Sequence, residues 1–440
     1  MDKLVNRVAI IGAGAGGLIA AATLGQAGFT VTVFEAGSSV GGVWCYDSNN
    51  AMYASLRCNL PKEVMAFSPR HPFDPNLPSF VGHEDVRAYL EQFAIDQQLD
   101  DAIVFNAQVL CVEKKKNEAD WKVAVSFGGR AEETELFDAV VVANGHYNSK
   151  FLPSLHGQDS FVGVQSHSLN YDSAAEYARK RVLVVGAKSS GTDLAREISK
   201  VADTVLVSDR GLAIEDQAIH GNIHHLPGID RFTANTVVFL GGREEPIDAV
   251  VWCTGFLYDF PFLKGRESSI DLDSFASPPC VSPTGRHVEN LYRHLFSIQD
   301  PTLVFLGLPY TVIPFPLMEM QSQWVAAVWS GHSTLPSKKD QLDWLNKDLE
   351  FAKLRNADLS SYHFMGALQW DYFRFMIESA GGAESTDVER RIDYLRVLKE
   401  IWAHVGTTRP VYPGGPDDYR DNTYHVDAET LEWTVSFTSQ

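Results

Sequence analysis

The apolar and polar positions fall into a strand–turn–helix pattern that occurs twice. Residues 8–11 form an unbroken apolar run, which predicts a strand buried on both faces. Gly12-Ala13-Gly14-Ala15-Gly16-Gly17 then turns into an Ala- and Leu-rich stretch that reads as a helix, and residues 30–34 predict a second strand running up to Glu35. The same order returns over residues 181–198, with residues 204–208 as the next strand. Between the two copies, residues 83–96 place Val86, Tyr89, Leu90 and Phe93 along one helical face. Residues 107–112 and 121–127 read as strands, the latter by alternation, and residues 137–143 as another apolar strand. The charged link 113–120 reads as a solvated loop. Strands are also expected at 248–251 and 302–307, and a helix at 318–329 behind the proline-punctuated Ile313-Pro314-Phe315-Pro316-Leu317. The C-terminal third reads as helical scaffold, with a capping pattern at Thr386-Asp387-Val388-Glu389 and Ile392, Leu395, Leu398 and Trp402 at helical spacing. Strands alternating with helices predict an α/β chain.

The turns carry the chemistry. Gly12 permits a tight turn, Gly14 lets a pyrophosphate approach the backbone, and Gly17 lets the helix pack on the strand. The helix opening through Ala15 and Gly16 points free N–H groups and a positive dipole end at the phosphate charge. Glu35 stands where a carboxylate accepts ribose hydroxyls. Gly41-Gly42-Val43-Trp44 suggests backbone lying against a ligand with Trp44 as a flat wall, and Asn144-Gly145 closes a strand where a cofactor would approach. In the polar loop 56–62, Asn59 offers an amide donor to a reactive oxygen or caps a turn.

The second turn, Gly186-Ala187-Lys188-Ser189-Ser190-Gly191, has Lys188 at the second glycine position. The helix N-terminus and the Ser189 and Ser190 hydroxyls can still meet phosphate oxygens, and Lys188 either adds charge complementarity or points to solvent. The following strand leads to Asp209-Arg210, and Arg210 suits a bidentate grip on a 2′-phosphate, favouring NADPH over NADH. Thr254-Gly255 after the strand at 248–251 brings backbone close to a ligand or forms a hinge. Two nucleotides of different kind imply electron transfer from NADPH to a bound flavin.

Composition narrows the classes. A length of 440 residues allows two domains or one with an insertion, and a formal charge of −19 argues against nucleic acid or an anionic membrane as partner. The five cysteines (Cys45, Cys58, Cys111, Cys253 and Cys280) are scattered without CxxC spacing, which reads as reduced intracellular thiols and excludes a zinc site, a disulfide framework and a CxxC disulfide reductase. No metal is expected. No apolar run reaches transmembrane length, no membrane anchor follows from residues 433–440, and the N-terminus passes into the first strand without a signal peptide, so a cytoplasmic protein is expected.

With these residues laid out, the chain resembles the flavin-containing monooxygenases. Phe161-x-Gly163-xxx-His167-xxx-Tyr171 looks like that family's signature, complete at each defined position and lying between the two nucleotide turns. Gly12-x-Gly14-xx-Gly17, Gly41-Gly42-x-Trp44, residues 59–62, Thr254-Gly255 and residues 313–321 support it, while Lys188 and Phe256 depart from the usual Gly and Tyr. The resemblance implies two Rossmann-like domains: an FAD domain from residues 1–172 and 284–440, with an NADPH domain, residues 173–283, inserted. It implies NADPH- and O2-dependent oxygenation of a soft nucleophile, an amine nitrogen or a sulfide, through an FAD C4a-hydroperoxide shielded by NADP+. The FAD side is expected to use Gly12, Gly14, Ala15, Gly16, Gly17, Glu35, Gly42, Val43, Trp44, Asn59, Leu60, Asn144 and Gln321. The NADPH side is expected to use Gly186, Lys188, Ser189, Ser190, Gly191, Arg210, Thr254 and Gly255. Asn59 is the catalytic candidate, and His167 and Tyr171 are read as structural. A small-molecule substrate and O2 are the expected partners, with a homodimer plausible by family. A Baeyer–Villiger enzyme normally has Trp after the histidine and a final Pro where this chain has Ser168 and Tyr171; that reaction and an NADPH-oxidising flavoprotein without oxygenation are the alternatives.

Overall fold

The computed structural model describes residues 5–47, 51–114, 118–214, 217–263, 281–381, 386–410 and 412–437. Cys280, residues 115–117 of the charged link, residues 264–280 of the expected insertion and residues 438–440 lie outside them, as does the side chain of Thr386 in the expected capping pattern. Along the chain, β1 (Arg7–Ile11), α1 (Ala15–Gln26) and β2 (Thr30–Phe34) come first, and β3 (Ala139–Val142) returns beside β1. Then follow β4 (Val164–His167), β5 (Arg181–Val185), α2 (Ser189–Ser199), β6 (Thr204–Ser208) and β7 (Ala249–Trp252). After these, β8 (Leu303–Phe305) and α3 (Pro314–Trp329) lead into the C-terminal region.

Two sheets result. In the first, β1 lies parallel between β2 and β3, and β8 extends it parallel to β3. In the second, β5 lies parallel between β6 and β7, and β4 extends it parallel to β7. Both are covered on both faces, which is why their central strands read as continuous apolar runs. Val8 and Ile10 pack with Leu18 and Ala21 of α1 and Trp324 of α3. Ala9 and Ile11 pack with Val123 and Val125 of an antiparallel three-strand layer (Ala107–Glu113, Trp121–Phe127, Glu132–Phe137). That layer presents one face to this core, so the middle strand alternates.

The signature residues build β4. A Cβ on Gly163 would stand 2.3 Å from the Phe161 ring and 2.5 Å from the Asp248 carbonyl; only glycine lets β4 start alongside β7. This strand belongs to the second sheet although it precedes residue 173. The two sheets are joined by an antiparallel ribbon in which Lys150 pairs with Phe256 and Ser149 with Leu257.

Two elements differ from the sequence expectation. The helix expected at 318 begins at Pro314, because proline is accepted in the first turn where its missing N–H is not needed. The C-terminal third is not helical throughout: it ends in a hairpin, Asn422–Val426 against Trp433–Phe437. Its turn is nucleated by Asp427, whose Oδ1 accepts the N–H groups of Glu429 and Thr430.

Candidate functional site

The two nucleotide turns are near copies at the C-terminal ends of β1 and β5. Gly12 has φ +100°, and a Cβ there would lie 2.8 Å from the Ala143 carbonyl; one on Gly17 would lie 1.8 Å from the Gly12 carbonyl. Gly186 has φ +109°, with a would-be Cβ 2.6 Å from the Cys253 carbonyl, and Gly191 repeats the 1.8 Å clash with Gly186. Neither α1 nor α2 has a side-chain cap or an acid in its first turn, so their leading N–H groups remain for an anion.

At the first turn, Gly42 (φ +57°) closes over Gly14 so tightly that a Cβ on Gly42 would stand 2.9 Å from the Gly14 Cα. This backbone-on-backbone contact seats residues 41–44 against the first turn. Trp44 packs edge-on to Phe315, ring centroids 6.3 Å apart, at the start of α3. Gly16 is small for a packing reason, since the Met318 sulfur lies 3.0 Å from its Cβ position. Glu35 is half-buried and fixed by backbone donors, Ala13 N–H at 2.7 Å and Gly37 N–H at 2.7 Å. At the end of β3, Asn144 Oδ1 and His146 Nε2 are buried without a partner. Two orphaned polar atoms beside a glycine cradle fit a polar ligand such as FAD.

Asn59 is half-buried, and its amide makes no hydrogen bond with another described residue. Its loop is tied down on either side: Cys58 N–H donates to the Val81 carbonyl at 2.8 Å and Lys62 N–H to the Ser79 carbonyl at 2.6 Å. The free amide is therefore held on a fixed backbone. Leu60 joins the first core as a partly buried side chain.

At the second turn, Lys188 has φ −81° and ψ −172°, against −75° and −174° at Gly14. This extended conformation suits any residue, so the lysine leaves the turn unchanged. Its Nζ lies 5.9 Å from the ring centroids of both Tyr310 and Phe364, side chains of the other unit, and so reaches across rather than along the surface. Partial burial, then the neighbouring Arg286 and Arg210, lower its pKa. The Ser189 and Ser190 hydroxyls and the exposed Arg210 make no hydrogen bond or ion pair with another described residue. Asp209 is turned to its own loop, accepting Gly211 N–H at 2.8 Å and facing His225 Nε2 at 3.3 Å.

Arg286 was not visible as a site residue in the sequence. It is half-buried, stacks 4.3 Å from the Phe151 ring centroid, and has no carboxylate partner among the described residues. It belongs to no motif, and only the tertiary fold brings it to Lys188.

The family model described as Flavin-binding monooxygenase-like matches residues 5–214 and 211–385. The chain is 32% identical over 474 residues to "Flavin-containing monooxygenase FMO GS-OX-like 7" of Arabidopsis thaliana, covering 99% of this chain and 95% of the relative. The chain belongs to the flavin-containing monooxygenase family. Among solved structures, S-allyl-L-cysteine S-oxygenase from Allium sativum superposes with a TM-score of 0.82 at 30% identity over 98% of both chains. Tmm from Pelagibacter sp. strain HTCC7211 shares the fold, with a TM-score of 0.76 at 24% identity over 97% of this chain and 96% of that one. As a member of this family the chain is a flavoprotein oxidoreductase with FAD and NADPH as its cofactors.

Three expected cofactor residues of this monooxygenase have structural posts. Gln321 is fully buried, its Oε1 accepting Gly307 N–H at 2.9 Å and its Nε2 donating to Tyr372 Oη at 3.2 Å. It locks α3 to the end of β8, with both polar atoms of its amide engaged by the protein. Thr254 donates its hydroxyl to the Phe151 carbonyl, and the Gly255 carbonyl accepts Phe151 N–H at 3.0 Å, so this pair forms the hinge at the ribbon. His167 Nδ1 accepts Leu169 N–H at 3.1 Å, which leaves Nε2–H to donate to the Gly255 carbonyl at 3.1 Å. Burial pushes its pKa down to about 4, so it is a neutral tie between signature and hinge. No helix among the described residues is long and apolar enough to cross a membrane.

Proposed function

We propose that this flavin-containing monooxygenase transfers one oxygen atom of O2 to a sulfide sulfur, with an amine nitrogen as the second substrate class. NADPH supplies two electrons; one oxygen enters the substrate as a sulfoxide or N-oxide, and the other leaves as water. A flavin held at the first turn would supply the oxygen-activating chemistry, while the chain's own residues hold it and admit the soft nucleophile. The observation that carries the reading is the pair of twin turns: one closed by the Glu35 carboxylate, the other flanked by Arg210 and Lys188, neither in an ion pair among the described residues. Sulfur is favoured by the full-length similarity to the S-allyl-L-cysteine S-oxygenase of Allium sativum.

The chain's residues bind, orient and shield. The Gly14–Gly42 contact and the N-terminus of α1 hold the FAD pyrophosphate, and Glu35 takes ribose hydroxyls. The N-terminus of α2 with Ser189 and Ser190 holds the NADPH pyrophosphate, and Arg210 with Arg286 and Lys188 gives the cationic surroundings that a 2′-phosphate requires in a chain of net charge −19. Asn59 donates its free amide between the flavin and the NADP+ ribose or amide. The absence of an acid–base triad from this assignment agrees with chemistry lodged in the cofactor.

The test is a rapid-scan absorbance trace of NADPH-reduced protein mixed with oxygenated buffer, followed by addition of an alkyl aryl sulfide. A near-ultraviolet flavin species that persists and then yields sulfoxide supports the reading. Direct return of oxidised flavin with hydrogen peroxide as the product moves the assignment to an NADPH oxidase.

A further inference from the structure

Arg420, in the C-terminal segment beyond every nucleotide motif, is 4% exposed at its side chain and joins three parts of the molecule. Its Nε donates to the Cys58 carbonyl at 2.9 Å, on the peptide that leads into Asn59. Its Nη2 donates to Asp193 Oδ2 at 2.7 Å and its Nη1 to Asp193 Oδ1 at 3.3 Å, so the guanidinium grips a carboxylate on α2 in a two-point fork. Nη1 also meets Asp417 Oδ1 at 2.6 Å. Arg57, from the Asn59 loop, returns the tie by donating to the Arg420 carbonyl at 2.8 Å. Burial opposes the charge of Arg420, but Asp193, together with Tyr419 and Asp417, outweighs it and holds the guanidinium more firmly protonated than usual.

We propose that Arg420 is a positioning residue: it ties the Asn59 peptide to α2, so that the flavin-side amide and the NADP+ nucleotide stay in register. The inference rests on the NADP+ assignment above. A surface clamp would hold two elements at their periphery, whereas this one ends on the peptide next to Asn59 and on the helix whose N-terminus faces the nucleotide. The consequence is coupling: losing the clamp should weaken NADP+ by misplacing Asn59, and losing Asn59 as well should then add little.

The experiment measures the NADP+ dissociation constant of the oxidised, FAD-loaded protein by calorimetry. The proteins compared are the parent, Asn59→Ala, Arg420→Lys and the double variant. Lysine keeps a cation near Asp193 but cannot hold the Cys58 carbonyl and both carboxylate oxygens at once. Each single variant should bind NADP+ about 10-fold more weakly, and the double variant should match a single one rather than fall about 100-fold. An Arg420→Lys protein with parental affinity, or independent losses that multiply, overturns the positioning role. A parent that does not bind NADP+ overturns the nucleotide assignment itself, and this inference with it. If Arg420→Lys does not fold, Asp193→Asn weakens the fork from its other end and is held to the same non-additivity with Asn59→Ala.

Discussion

Asn59 keeps its amide free because neighbouring backbone groups and Arg420 anchor its loop. A side chain so placed can be removed without unfolding its surroundings. Asn59→Ala should therefore retain FAD and lose about 10²-fold in oxygenation, the scale of one preorganised donor; sulfoxide formation at the parental rate would remove Asn59 from the mechanism. Arg210 follows the strand Thr204–Ser208 beside the second turn. Its guanidinium makes no ion pair among the described residues, so Arg210→Ala should weaken NADPH about 10- to 100-fold, the worth of charged hydrogen bonds, and leave NADH almost unchanged. Equal loss of both nucleotides would assign the 2′-phosphate to Lys188 or Arg286. These two candidates could be named from the sequence because one lies in a family-like segment and the other follows the second turn at a fixed offset. Arg286 and Arg420 were not, because their partners lie far off in sequence and nothing local marks them.

At the level of elements, strand and helix ends followed the pattern closely where burial is one-sided or complete. The helix His83–Asp96 and the strand Thr30–Phe34 fall on the expected residues because their apolar spacing has one reading. The terminal hairpin was hidden by a short, weakly apolar pattern whose register is set by the Asp427 turn. The structural tie made by Gln321 was hidden for a related reason: a motif position marks where a residue lies along the helix, not which groups its amide meets. The second turn tests whether position or side chain governs binding. Since Gly191 abuts the Gly186 carbonyl, Gly191→Ala must push α2 off β5, at a cost typical of overpacking, roughly 1–3 kcal/mol. FAD content should be retained while NADPH binding weakens about 10-fold or more, read by nucleotide titration of the holoprotein. Parental affinity in that variant would mean that the N-terminus of α2 does not hold the pyrophosphate.

Across the whole molecule, buried neutral histidines tie the parts together, and they make stability depend on pH. His167 joins the signature strand to the Thr254-Gly255 turn, and burial, aided by the Lys150 charge, lowers its pKa from 6.5 to about 4. His294 lies inside the other unit, where His363 accepts Val288 N–H at Nε2 and so presents its Nδ1–H to His294 Nδ1 at 3.1 Å. Burial again sets its pKa near 4, against the raising influence of Asp348 and with Arg293 and Arg355 lowering it further. Both groups are depressed in the folded chain, so below pH 6.5 the unfolded chain takes up protons that the native one refuses. Stability should be level above about pH 7 and fall as the pH drops toward 4, with each histidine contributing up to roughly 3 kcal/mol over that interval. Two such contributions are comparable to the whole stability of many domains. Urea midpoints measured between pH 7.5 and 4.5 should show the decline, less an opposing contribution from Glu319, whose carboxyl burial pushes up to about 7. His167→Asn should reduce its slope by up to about 1.4 kcal/mol per pH unit. An unchanged slope in that variant would mean that the hinge tie is not where the proton acts. A reduced slope would place that share of the acid lability at the contact between His167 and the Gly255 carbonyl.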